Sequence, residues 1–163
     1  MRKIIALVLA ALLLMGLTGC VDSADTAVFY YSRYDNAYLY GQDNAVIAGE
    51  YRDVTGHRQD LKYLLTLYFH GPTMEHLRSP FPSGMSLRSV ERRQGTLYVE
   101  LSASLTMLTG TDLTLACACL ARTCFSLTDV EAVTITSDGL GFVSTTLTRD
   151  SLILFDDTPI PNE

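Results

Sequence analysis

The stretch that most constrains the fold is Thr96-Leu97-Tyr98-Val99-Glu100-Leu101-Ser102. Leu97, Val99 and Leu101 alternate with Tyr98, Glu100 and Ser102, the period of two expected of a strand with one buried face. A second strand-like run, Ser86 to Glu91, precedes it, with a turn through Arg92-Arg93-Gln94-Gly95. Gly95 can take the positive φ that a tight hairpin requires. A helical pattern stands on each side, over Asp60–His70 and Thr111–Ser126. The first sets Leu61, Leu64, Leu65 and Tyr68 on one face, the i, i+3, i+4, i+7 spacing of an amphipathic helix. Gly71 and Pro72 stop it. The second gathers Leu113, Ala116, Cys117, Leu120 and Cys124, widened by Leu115 and Cys119, so it is expected to be largely enclosed, with Gly110 or Thr111 at its cap. An α+β domain, one sheet with both helices on one face, buries all three apolar surfaces.

The other segments fit around that core. Ala27 to Tyr51 is rich in β-formers, which predicts a first strand near Ala27–Tyr34 and a partner after the Asp35-Asn36 turn. The loop from Gly71 to Gly84 is stiffened by prolines, and Leu77 and Phe81 are expected to pack inward. Val130 to Thr136 alternates again and ends at Ser137-Asp138-Gly139; Ser151 to Phe155 is a last β-like run.

The N-terminus reads as an export signal. Arg2 and Lys3 precede an uncharged apolar run of 14 residues, Ile4 to Leu17, too short for a comfortable membrane span and suited to a signal-peptide core. It ends in Leu17-Thr18-Gly19-Cys20, which resembles the bacterial lipobox, where a cysteine becomes the lipidated N-terminus. The expected organisation is a leader over 1–19, a palmitoylated Cys20 and tether over 20–26, one domain over 27–155 and a flexible tail over 156–163. Without Arg2 and Lys3, 10 basic residues face 18 acidic ones, a net charge near −8. That balance disfavours nucleic acid and electrostatic docking on anionic lipid. Membrane attachment then falls to the acyl chains, of which two or more anchor stably.

No constellation for catalysis is visible. A nucleophile needs a base within reach and an orienting group, whereas His57, His70 and His76 are scattered over a helix start, a helix end and a loop. Cys117, Cys119 and Cys124 share one helix at spacings unsuited to a bridge, so they are expected to be free, buried and small. Their C-x-C spacing lacks a second ligand pair for a metal, and neither metal nor cofactor is expected. Tyr30, Tyr31 and Tyr38 crowd the first strands. Such rings suit protein interfaces or sugar stacking, although β-propensity alone also enriches tyrosine there. Arg88, Arg92 and Arg93 form a local positive cluster at the hairpin turn, a candidate contact for an acidic partner.

The landmarks in order are an amphipathic helix with Leu-Leu and then Gly71-Pro72, a loop reaching Pro82-Ser83-Gly84-Met85-Ser86-Leu87, a hairpin carrying Val90 and Gly95 and closing as Val99-Glu100-Leu101-Ser102, a helix ending near Arg122-Thr123, and Val130 followed by Val133-Thr134-Ile135-Thr136-Ser137-Asp138-Gly139. Their order and spacing resemble a GerMN domain, the sporulation and spore-germination module of Gram-positive bacteria, and Val28-Phe29-Tyr30 resembles that family's opening strand. The resemblance implies an α+β fold, roughly β-α-β-β-α-β, similar to ring-building motifs of sporulation channels and secretion systems. It also implies a lipoprotein on the outer face of the cytoplasmic membrane, acting as a non-catalytic interaction module with an extracytoplasmic protein or another copy of itself as partner. The chain departs from the pattern in its cysteine-rich helix, in the Arg92-Arg93-Gln94 turn where many members are acidic, and in carrying one copy of the domain. The alternative is a cell-envelope binding or sensory lipoprotein that takes glycan or a small ligand on its tyrosine strands.

Replacing the lipidation site gives the first test. Cys20→Ala should release the protein from membranes or leave an unprocessed precursor, read by fractionation and electrophoretic mobility. Membrane retention with normal processing would count against the lipobox.

Overall fold

The hairpin closes on two residues. Gln94 and Gly95 both have positive φ, 48° and 78°, as in the type I′ turns whose twist matches paired strands. In the computed structural model, which describes residues 25–33, 46–138 and 144–155, the hairpin strands are β4 (Leu87–Arg93) and β5 (Thr96–Leu101). The leader, Cys20, Tyr38 and the tail 156–163 lie outside the described residues. Strand β5 continues into a parallel pairing with β6 (Ala132–Ser137), and β6 pairs antiparallel with β7 (Ser144–Thr148). The sheet order is β4-β5-β6-β7.

The other strands form a second sheet. Strand β1 (Thr26–Arg33) pairs antiparallel with β2 (Ile47–Asp53) and, over Ser32 and Arg33, with the short β3 (Leu77–Arg78). The α+β class therefore stands, but the elements are more numerous than β-α-β-β-α-β and the strands divide between two ladders. Helix α1 (Leu61–Phe69) is capped by the Asp60 carboxylate, which accepts from the Tyr63 N–H at 3.0 Å. It ends at Gly71, whose N–H donates to the Tyr68 carbonyl at 3.0 Å and whose positive φ of 91° turns the following chain out of the helix. Helix α2 (Gly110–Leu127) crosses over between the parallel strands. Its N-cap is Thr109 rather than Gly110 or Thr111, and no side chain caps it.

One hydrophobic cluster unites these parts. It includes Phe29 and Tyr31 of β1, Leu64, Leu65 and Tyr68 of α1, Leu97, Val99 and Leu101 of β5, and Val133 and Ile135 of β6. Every residue of α2 from Ala116 to Ala121 is buried. Cys117, Cys119 and Cys124 are free and buried among them. Leu77 and Phe81 pack inward. The Ser151–Phe155 run is not a strand but part of a 3-10 helix, Asp150–Phe155. Thr148 and Ser151 exchange backbone-to-hydroxyl bonds at 2.8 and 3.3 Å, and this local capping ends β7 and turns the chain before a ladder can form.

Side chains of α2 and α1 satisfy the edge of β1 that, among the described residues, no strand covers. The Tyr30 N–H donates to Thr123 Oγ1 at 2.9 Å, and Ser126 Oγ donates to the Val28 carbonyl at 2.6 Å. The Tyr68 hydroxyl donates to the Tyr30 carbonyl at 3.0 Å. On the paired side of β1, Glu50 is buried within the fold. Its carboxylate accepts from Arg52 at 2.9 Å, from the Thr73 N–H at 3.0 Å and from the Thr73 hydroxyl. Arg52 also donates to the Gly71 carbonyl at 2.5 Å and lies over the rings of Phe29 and Tyr31. Burial works to raise the pKa of Glu50, but the bonds from Arg52 and Thr73 outweigh it and hold the carboxyl below its usual range.

Two stability measurements follow. Thr123→Val keeps the shape but orphans the Tyr30 N–H, and should cost about 1–3 kcal/mol in denaturant unfolding. Thr114→Val, at an exposed hydroxyl of the same helix, should cost little; equal losses would contradict the edge role. Because the folded-state pKa of Glu50 is depressed, its contribution is complete above the unfolded carboxyl range and is lost as pH falls through the folded value. Glu50→Ala should cost about 3 kcal/mol at neutral pH, and this deficit should shrink in acid. A deficit independent of pH would contradict the ion-pair assignment.

Candidate functional site

Strand alternation gives the four-stranded sheet two unlike faces. The inner one carries Leu97, Val99, Val133 and Ile135, all fully buried. The outer one is built from aligned rows of polar side chains. Ser89, Glu100, Thr136 and Ser144 make one row; Glu91, Tyr98, Thr134 and Thr146 make the next. Arg93, Thr96, Ala132 and Thr148 complete it towards the turn.

A shallow depression of about 270 Å³ lies on this face, lined by Ser89, Glu91, Arg93, Tyr98, Glu100 and Thr136. Tyr98 projects from its floor with 42% of its surface exposed. Arg93 pairs with Glu91 and places its guanidinium 5.8 Å from the centre of the Tyr98 ring, a cation–π distance. Glu100 accepts from the Ser89 hydroxyl at 2.9 Å, and the Thr134 and Thr146 hydroxyls bond each other at 2.9 Å. The strands beneath are locked by the core, so the side chains share one rigid support. This arrangement offers acceptors, hydroxyls, one ring and one cation to solvent.

The residues expected to form an interface are dispersed. Tyr31 is a correction: it is fully buried, its ring stacks on Tyr68 at 4.8 Å, and its hydroxyl donates to the Tyr68 carbonyl at 2.9 Å. Burial pushes its pKa above the usual phenol range despite the nearby Arg52, and it serves the core. Tyr30 is half-buried; its ring lies against Gly49, where an added Cβ would approach to 3.3 Å, and Arg122 sits 4.8 Å from the ring centre. Tyr38 lies outside the described residues.

The three arginines do not form one positive cluster. Arg88 occupies the irregularity between Leu87 and Ser89 and faces Asp138 at 3.6 Å. Arg92 pairs with Asp129 at 2.7 Å and holds that carboxyl below the usual range. Arg93 turns to the other face and pairs with Glu91. A carboxylate neutralises each.

Other reactive groups sit apart from the depression. Burial raises the thiols of Cys117, Cys119 and Cys124 to about 11, 12 and 12, which keeps them protonated and unreactive at neutral pH. His57 stacks on Tyr63 at 3.9 Å, and His70 Nδ1 lies 2.9 Å from the Thr66 carbonyl. Among the described residues, no three metal-ligating side chains converge, and no helix is long and apolar enough to cross a membrane. Tyr98 and Glu100 were legible as the outward residues of β5, but Ser89 and Thr136 join them only through the strand register.

A family model, "Germane: Sporulation and spore germination", matches residues 29–140. The tandem GerMN domains of the sporulation protein GerM from Bacillus subtilis share the fold with a TM-score of 0.51 at 15% sequence identity, over 75% of this chain and 42% of that one. The chain thus spans less than half of the GerM structure. A protein from Clostridium perfringens described as a candidate lipoprotein aligns with a TM-score of 0.48 at 17% identity, over 82% of this chain and 94% of that one. No curated protein matches the chain. The matched segment runs from β1 through β6 and takes in α1, the hairpin and α2, so the protein belongs to the Germane family of sporulation and spore germination domains.

Proposed function

We propose that the protein is a non-catalytic binding domain of the sporulation or germination apparatus, held by lipid on Cys20 at the outer face of the cytoplasmic membrane. The observation that carries this reading is the ordered polar face of the β4-β5-β6-β7 sheet, set on a rigid core in a chain of this family. A domain that binds needs a surface held in one shape, and the inner face of the same strands supplies that rigidity.

The anchor adds a geometric constraint. Strand β1 starts at Thr26, six Cα steps after Cys20, so a fully extended tether reaches roughly 20 Å. The domain would stay near the membrane plane, where confinement raises its effective concentration for a partner held in the same plane. That partner is another extracytoplasmic protein or a further copy of this chain, as in a ring. The glycan alternative asks Tyr30, Tyr31 and Tyr38 to form a stacking platform; Tyr31 lies in the core and Tyr30 is half-buried against Gly49, which favours the protein-partner reading.

Deletion in a spore-forming host tests the reading. Heat-resistant spore counts or germination rate should fall, and be restored by the wild-type gene but not by Cys20→Ala. Sporulation and germination both unaffected would remove the assignment.

A further inference from the structure

We propose that the depression around Tyr98 is a docking site for a lysine- or arginine-bearing segment of a partner protein, and that Arg93 fills this site as an internal stand-in. The inference deepens the reading of a binding domain and rests on it.

Charge accounting points to a cation. In the three rows of the outer face, only Glu91, Glu100 and Arg93 are charged, two carboxylates against one guanidinium. The other hairpin arginines are committed elsewhere, Arg92 to Asp129 and Arg88 to Asp138. The bond described for Glu100 comes from the neutral Ser89. The face therefore lacks one positive charge, on a chain whose net charge is −6. An acidic partner would meet two carboxylates, whereas a basic one is attracted by the local and overall field alike.

Geometry shows what the depression accepts. The Arg93 guanidinium already joins a carboxylate, Glu91, to an aromatic ring, Tyr98, the combination that recognises ammonium and guanidinium groups. Arg93 and Glu91 are both well exposed, at 69% and 53% of their side-chain surfaces, and exposed pairs are held weakly. Arg93 can swing aside for a partner's side chain, which gains Glu91, the ring and the neighbouring Glu100. A saccharide fits less well, because it is neutral and gains nothing from the unbalanced carboxylate of this face.

The test uses the full-length lipidated protein in neutral phosphatidylcholine nanodiscs and a fluorescent octalysine peptide, read by anisotropy at low and physiological salt. Binding should weaken as salt rises. Tyr98→Ala with Glu100→Gln should weaken it about tenfold. Glu75→Gln with Asp112→Asn, exposed acids outside the three rows, should change it less. Arg93→Ala should strengthen binding more than Arg92→Ala, although each removes one positive charge. Circular dichroism would show that the variants fold, and Glu100→Gln alone offers a milder second variant. Losses equal to those of the control pair, or no difference between the two arginine variants, would overturn the proposal. So would binding of a chitotetraose probe that depends on Tyr98 when octalysine binding does not. A sporulation phenotype on deletion without octalysine binding would remove this inference alone and leave the binding-domain reading in place.

Discussion

The bonds from α2 to β1 are the constraint on which the rest depends. The two ladders do not pair with each other among the described residues, and β1 has a strand on its second side only at Ser32 and Arg33. Buried backbone groups need partners, and Thr123 and Ser126 provide them from a helix. Their hydroxyls are short, so the helix must approach the strand closely. The small residues of α2, from Ala116 through Cys119 and Ala121, allow that approach. The cysteines of this helix are then understandable as small apolar side chains in that packing. Thr123 also donates to the Cys119 carbonyl, which fixes its hydroxyl as an acceptor for Tyr30.

The Glu50–Arg52 pair does the equivalent work on the other side of β1. A buried ion pair is weak evidence of stability, because desolvation offsets much of the attraction. Its effect here is positional. Arg52 holds the Gly71 carbonyl and Glu50 holds Thr73, so the chain leaving α1 is fixed against β2 where Gly71 and Pro72 have broken the helix. That in turn sets the path by which Leu77 and Phe81 enter the core. The two arrangements make β1 a shared member: buried on one face, helix-bonded on one edge, and linked by β2 to the loop that leads to the hairpin.

Legibility in the sequence follows from how local each cause is. Both helices and both hairpin strands could be read within a residue or two because periodicity, Asp60, Gly71 and Gly95 act over a few residues. The division of the strands between two sheets could not, since alternation in β1 says nothing about which strand lies beside it. The same limit applies to the tyrosines. Val28, Phe29, Tyr30 and Tyr31 are apolar or aromatic on both faces, so period two does not tell the inward ring from the outward one, and only packing shows that Tyr31 belongs inside. The arginine cluster failed for a related reason. Neighbours in sequence point to opposite sides of a strand, and their carboxylate partners Asp129 and Asp138 lie across the sheet. Ser151 to Phe155 looked like a strand because the reciprocal bonds of Thr148 and Ser151 are a pairwise device that composition does not reveal.

The division of the arginines also determines what the outer face presents. Had Arg92 joined Arg93 there, the face would have been neutral; strand alternation instead sends Arg92 to the face of Leu97, where it pairs with Asp129. The register of β5 against β6 then sets Glu100 beside Thr136 and Tyr98 beside Thr134. A shift of one residue would send Tyr98 into the core and Leu97 to solvent. The burial of Leu97, Val99, Val133 and Ile135 prevents that shift. The surface chemistry is thus set by the apolar residues behind it, and a change in that core acts on binding through the register of the sheet.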